Sequence, residues 1–140
     1  MSPEVPYQYE VTFLAIRIIA GLLFFLQGYD KLFVIGIQGV YETFHEPMHK
    51  KNVPDWVLRV SAWFTTWVEL LGGLLLLMGL FTPWVAMLLL LDLLLVILAF
   101  GILEPMWDMK HVFPRLVLLV GILLIPHSLN LFSIDYFLFK

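Results

Sequence analysis

Residues 67–100 read WVELLGGLLLLMGLFTPWVAMLLLLDLLLVILAF. Only Glu69 and Asp92 carry charge in this stretch, and its one proline, Pro83, lies in a Phe81-Thr82-Pro83 link. A bilayer core about 30 Å thick requires roughly 20 apolar residues per helix. The stretch therefore reads as the end of one membrane-spanning segment, a tight hairpin, and most of the next. Pro83 suits the first turn of a helix, where its missing N–H costs nothing.

Outward from this hairpin the apolar pattern predicts four transmembrane helices, at about 11–33, 57–80, 84–103 and 112–132. The third and fourth are joined by the short link Glu104-Pro105-Met106-Trp107-Asp108, while a longer amphipathic loop, Val34 to Trp56, separates the first two. Short links make antiparallel neighbours. The expected fold is all-α, a single transmembrane domain over residues 1–140 arranged as an up-down-up-down four-helix bundle. Composition agrees. The chain is 61% apolar and 14% charged, against about 45–50% and 25% for soluble domains, and its mean hydropathy is +0.94. No basic stripe suggests nucleic acid as a partner. The absence of cysteine excludes disulfides, thiolate catalysis, iron–sulfur ligation and Cys-zinc sites. The N-terminal MSPEVPYQYE lacks a basic region, so the first apolar segment is expected to be retained rather than cleaved.

Each segment contains an ionisable residue: Arg17, Glu69, Asp92 and Arg115. A charge in hydrocarbon costs at least ~2.5–3.5 kcal/mol on insertion scales, so it must face the bundle and find a partner. At ~1.5 Å per residue, Arg17, Glu69 and Asp92 lie roughly 9–15 Å from the same membrane face. They are expected to form one buried cluster, approached by His127. Arg115 starts near the opposite face, with Asp30, Asp108 and His111 as its expected neighbours. Arg17, Gly21, Phe24, Gly28 and Lys31 share one stripe of the first helix, and Glu69 shares one with Gly72, Gly73 and Leu76. Small residues beside a charge let helices approach closely. The charges can either fix helix packing or line a pocket for a proton, quinone or other small ligand. Haem is not expected, because His111 and His127 are 16 residues apart on one segment, ~24 Å along a helix. Tyr7, Tyr9, Tyr29, Tyr41, Trp56, Trp84, Trp107 and Tyr136 crowd the segment ends and read as an interfacial belt.

The loop contains His45-Glu46-Pro47-Met48-His49, an H-E-x-x-H pattern. That pattern binds zinc when one helix presents both histidines on one face, with the glutamate as general base. Proline inside a helix removes a backbone bond at a cost of ~3 kcal/mol and biases Glu46 away from helical dihedrals. A third ligand is also required. His45, Glu46 and His49 are therefore read as a polar loop surface and not as a metal site. Phe33, Ile37, Tyr41 and Phe44 are expected to face lipid or the bundle.

Four stretches together resemble the DoxX family. Arg17-Ile-Ile-Ala-Gly21 and Phe25-Leu-Gln-Gly28-Tyr-Asp-Lys31-Leu32 are similar to its R-x-x-x-G…F-x-x-G-x-x-K-L. Val53-Pro54 stands where members often have Gly-x-Pro, and Glu69 to Thr82 resembles E-x-x-G-G-x-x-L-x-x-G-L-x-T. The end, His127 to Asp135, is similar to the closing G-x-G-x-x-S-L-D, although Pro126-His127 replaces its Gly-rich turn. The resemblance implies a four-helix integral membrane protein, in a bacterial inner membrane. It implies association with quinol oxidases, thiosulfate:quinone oxidoreductase or redox-stress enzymes, and singles out Arg17, Lys31, Glu69 and Asp135. It defines no catalytic residue. Positive-inside counting, from Lys50, Lys51 and Lys110, places the first and third loops in the cytoplasm; many relatives carry a basic residue where Pro83 stands, which would reverse that.

Three functions are open at this point. The first is a redox- or respiration-linked membrane subunit that contacts quinone or a partner enzyme, with Arg17, Lys31, Glu69, Asp92, Arg115, His127 and Asp135 as candidate pocket residues. The second is a non-catalytic assembly subunit of a larger membrane complex or a homo-oligomer. The third is a small proton or solute conduit, for which four helices leave little lumen. No covalently bound cofactor is expected.

Overall fold

A computed structural model of the chain describes residues 7–103 and 109–138, in which every regular element is helical. Helix α1 spans Tyr7–Tyr29 and passes without a break into a π-helical turn, Asp30–Val34. Helix α2 covers Ile37–His49, α3 Asp55–Met78, α4 Thr82–Leu103 and α5 Met109–Leu124. A 3₁₀ turn, His127–Leu129, and a short α6, Ile134–Leu138, complete the described chain. Among the described residues, three helices are long and apolar enough to cross a membrane: Tyr7–Val34, Asp55–Met78 and Thr82–Ala99. A shorter apolar helix, Val112–Leu124, accompanies them. α1 packs on α3 and α5, and α4 packs on α3 and α5, so the four long helices close a ring.

Three sequence expectations change. The last apolar segment is not one helix to residue 132. α5 ends at Leu124, ahead of Pro126, because proline cannot donate the next backbone bond and disfavours helix in the residue before it. The link between α1 and α3 is not a loop but contains a 13-residue helix, α2, that runs through Pro47. The bond lost at Pro47 would have reached the Thr43 carbonyl. Both residues are exposed, so the freed carbonyl faces outward. α2 turns Val40, Tyr41 and Met48 inward against Leu58 and Ala62 of α3. Tyr41 is 8% exposed and does not belong to the interfacial belt. Tyr7, Tyr9, Tyr29, Trp56, Trp84 and Tyr136 are exposed as expected, and Trp107 lies outside the described residues.

Close approach of α1 and α3 is the tightest packing in the fold. A Cβ on Gly28 would sit 2.3 Å from the Leu70 backbone N, and one on Gly73 would sit 2.3 Å from the Phe25 backbone N. Backbone meets backbone at both points, so no side chain can yield. Around this contact Phe13, Ala20, Phe24 and Leu76 join Leu89, Leu93, Leu119 and Ile122 in the main core. The outward surface carries Leu88, Leu91, Leu94 and Leu98 of α4, as lipid requires.

The α3–α4 hairpin is closed by backbone geometry. Gly79 is left-handed at φ 70°, a conformation that costs glycine little. Leu80 N–H then reaches back to the Leu75 carbonyl at 2.9 Å, the bonding of a Schellman motif.

The glycine contact makes a prediction. Gly73→Ala should force α1 and α3 apart and destabilise the protein by about 1–3 kcal/mol, as overpacking does. Gly101→Ala, where a Cβ meets nothing within 4 Å, should be neutral or gain up to ~1 kcal/mol of helix propensity. Tryptophan-fluorescence melting curves in detergent compare the two.

Candidate functional site

The buried charges separate into two groups, and the α1–α3 register explains why. Gly21 packs at Leu77 and Gly73, and Gly28 packs at Leu70, so the two helices run in opposite directions. Four residues before Gly21, Arg17 therefore lies beyond Leu77, at the C-terminal end of α3. Three residues after Gly28, Lys31 lies level with Glu69. Arg17, Glu69 and Asp92 thus do not form the single cluster expected from their depths.

At the hairpin end, Arg17 is 2% exposed and donates from Nη1 to the carbonyls of Leu76 at 2.8 Å and Leu77 at 3.2 Å, and from Nη2 to that of Phe132 at 2.6 Å. These include carbonyls that the end of α3 leaves without helical donors. Asp135 does the reverse for α4. Its Oδ1 accepts from Phe81 N–H at 2.7 Å and its Oδ2 from Thr82 N–H at 2.9 Å, so a residue 53 positions away acts as the N-cap. Asp135 N–H donates to the Gly79 carbonyl at 3.0 Å. Asn130 Nδ2 donates to Thr82 Oγ1 at 3.1 Å, and Ser133 Oγ donates to the Asn130 carbonyl at 2.5 Å. This group is a clamp around the hairpin. His127 is exposed in the 3₁₀ turn and does not approach the membrane-depth acids; it borders a separate recess beside Phe13 and Thr82.

The second group lies deeper. Lys31, in the π-helical turn, holds Glu69 Oε2 at 2.7 Å and donates to Thr65 Oγ1 at 3.1 Å. Thr65 and Glu69 are one turn apart on α3, so one ammonium bridges both. Asp92 of α4 is fully buried beside Glu69, Lys31 and Thr65. Neither of its carboxylate oxygens makes a hydrogen bond of ordinary geometry, and Gln27 Oε1 is likewise unpartnered. Arg115 is close enough to interact electrostatically with both acids, and its guanidinium lies 5.9 Å from the centre of the Phe24 ring. Its neighbours are therefore Glu69 and Asp92. Asp30 is exposed, Asp108 lies outside the described residues, and the side chain of His111 does as well. Formal charge in this group balances: two acids, Glu69 and Asp92, and two bases, Lys31 and Arg115.

A cavity of about 290 Å³ opens against this group. Gln27, Lys31, Thr65 and Asp92 form its polar wall, and α2 covers it with Tyr41, Phe44 and Met48. Leu95 and Ala99 of α4 line the apolar remainder. The volume is near the lower end of small-molecule pockets, about 300–1,000 Å³. Sequence reading did not single out Gln27 or Thr65. Each stands four residues before a candidate, Lys31 and Glu69, and that spacing was the available signal.

The two histidines of the H-E-x-x-H stretch flank the cavity-facing side of α2: His45 stands one turn from Tyr41, with ring centres 5.1 Å apart. His45 Nε2 is 3.3 Å and His49 Nδ1 3.9 Å from Asp55 Oδ1, in the first turn of α3. Pro47 did not prevent the helix, so that ground for rejecting a shared histidine face fails. Glu46 is exposed beside them.

A DoxX family model matches residues 12–102, which takes in α1 through almost all of α4 and stops before α5. No curated protein and no solved structure matches the chain.

The two groups predict different phenotypes. Asp135→Ala removes two hydrogen bonds to a charged acceptor, each worth about 1.5–3 kcal/mol, and should lower the melting temperature strongly. Asp92→Asn keeps the shape of a side chain whose oxygens make no hydrogen bond of ordinary geometry and should lower the melting temperature much less than Asp135→Ala does. Equal destabilisation in both would contradict the division into clamp and pocket.

Proposed function

Because the chain belongs to the DoxX family, we propose that it is a four-span subunit of a bacterial cytoplasmic membrane, arranged up-down-up-down, whose cavity takes the head group of a quinone or a similar lipophilic redox carrier. The observation that supports this reading most is Asp92. A fully buried carboxylate beside Thr65 and Glu69 that makes no hydrogen bond of ordinary geometry, on the wall of an apolar cavity, demands an explanation, and a ligand hydroxyl or carbonyl is one. The match between ligand and wall is chemical. A quinol hydroxyl donates to a carboxylate, and a quinone carbonyl accepts from Lys31 or from a protonated Asp92. Phe44, Met48 and Leu95 offer the ring and its tail an apolar face. Gln27 supplies a second polar contact across the same wall. α2 and the π-helical turn make the cover; π-turns are frequent at functional sites.

The chain's residues in this reading bind and orient the carrier. Electrons come from a partner redox enzyme, whose docking the exposed apolar helices permit. Lys31 and Arg115 offset the charge of Glu69 and Asp92, so a proton released or taken up by the carrier changes the site from its neutral balance. That is a favourable setting for coupling carrier chemistry to proton uptake.

The test is direct. Detergent-purified protein should bind a short-chain ubiquinone or menaquinone analogue, followed by quenching of its tryptophans. Asp92→Asn and Lys31→Gln should each weaken binding by about tenfold or more, the scale of one lost charge-assisted bond. Ala99→Phe, which fills the cavity, should abolish it. Retained binding in all three folded variants would sink the reading. Mass spectrometry of protein extracted gently from native membranes gives the second measurement, and co-purifying quinone with a redox subunit is the expected result.

A further inference from the structure

We propose that His45, His49 and Asp55 form a binding site for one divalent transition-metal ion, with Zn²⁺ as the committed case, at the outer edge where α2 meets α3. The site is independent of the cavity reading and draws on none of its residues.

The argument starts from spacing. Residues four apart on a helix share a face, and α2 runs unbroken from Ile37 to His49. The two imidazoles accordingly stack, with ring centres 5.7 Å apart and planes inclined by 21°. Asp55 arrives from a different element, five residues beyond Lys50, after a turn closed by Lys51 N–H to Met48 carbonyl and Asn52 N–H to His49 carbonyl, both at 3.0 Å. Tertiary structure thus supplies the third ligand that the sequence pattern lacked. One donor atom from each residue lies within 4.8 Å of the others. Ligands about 2.0–2.2 Å from a tetrahedral ion stand roughly 3.3 Å apart, and the His45 Nε2–Asp55 Oδ1 separation is already 3.3 Å. His49, at 3.9 Å and 71% exposed, has room to close the remainder by side-chain rotation.

Asp55 is placed for this task. It sits in the first turn of α3, one residue after the N-cap Pro54, and its Oδ1 already faces His45 and His49. Two imidazoles and one carboxylate form a donor set that suits zinc, nickel, copper and iron and does not suit magnesium or calcium. All three side chains are reachable from water, so an ion has an entry path. An ion held there ties the last turn of α2 to the first turn of α3, beside the face of α2 that covers the cavity.

Isothermal titration of tag-free protein in detergent with ZnCl₂ tests the site. One equivalent should bind, with a dissociation constant in the micromolar range, and the melting temperature should rise with free Zn²⁺, because the ion binds the folded form. Mg²⁺ should do neither. His45→Ala, His49→Ala and Asp55→Asn should each weaken Zn²⁺ binding on the order of 10–100-fold or more, with the metal-free melting temperature retained, since the side chains are exposed. His127→Ala should bind as the parent does. Undiminished binding in the three variants, or no uptake by the parent at about 0.1 mM Zn²⁺, overturns the proposal.

Discussion

The contact between α1 and α3 at Gly28 and Gly73 governs the rest of the molecule. Lipid offers no hydrophobic drive for one helix to leave it for another, so helices associate through close packing and polar contacts. Here the backbones come so near that neither glycine leaves space for a methyl group. A contact that tight has one register. Once it is set, Lys31 stands opposite Thr65 and Glu69, and Arg17 stands past the end of α3. The two charged groups are consequences of that alignment rather than independent features.

Arg17 and Asp135 illustrate a constraint peculiar to membranes. Every helix end leaves backbone groups without partners, and inside lipid no water satisfies them. The α3–α4 hairpin is short, and it resolves the problem with opposite charges: a guanidinium for the carbonyls of α3 and a carboxylate for the amides of α4. Each charge also agrees in sign with the helix end that it meets. Residues 130–135 fold back to deliver Asp135, so the end of the described chain secures its middle. Pro126, by stopping α5, makes this return possible.

The deeper group has another character. Its acids and bases balance formally, but its hydrogen bonding is incomplete at Asp92, Gln27 and Glu69 Oε1. Among the buried side-chain atoms of the clamp, Arg17 Nε alone lacks a hydrogen bond, whereas the deeper group leaves several such atoms. α2 carries both the apolar side chains that cover the cavity and, along their flank, the histidines of the His45–His49–Asp55 edge. An amphipathic helix lying on α3 is suited to join an event at the outer edge to the cover of the cavity.

The sequence by itself determined a good deal. Long apolar runs with few charges require membrane helices, because burying unsatisfied backbone in lipid costs too much otherwise. Phe81-Thr82-Pro83 marks the hairpin, because proline suits the first turn of a helix; that Gly79 takes the left-handed cap is a finding of the structure. The costs of buried charge single out Arg17, Glu69, Asp92 and Arg115 before any coordinates are considered, and family likeness adds Lys31 and Asp135. Which of these meet was not legible. Depth counted along separate helices carries an error of a turn or more, and only the glycine contact, a property of two surfaces together, fixes the relative shift. Gln27 and Thr65 look like ordinary polar residues until the cavity forms around them. Pro47 reads as a helix breaker, yet its lost bond falls on an exposed face, where α2 tolerates it while the opposite face packs on α3. The third partner of His45 and His49 likewise depends on where the turn after α2 carries the chain. Sequence decides the local and the one-body costs, the burial of a charge or the ending of a helix. Pairing between elements is a two-body matter, and packing alone decided it.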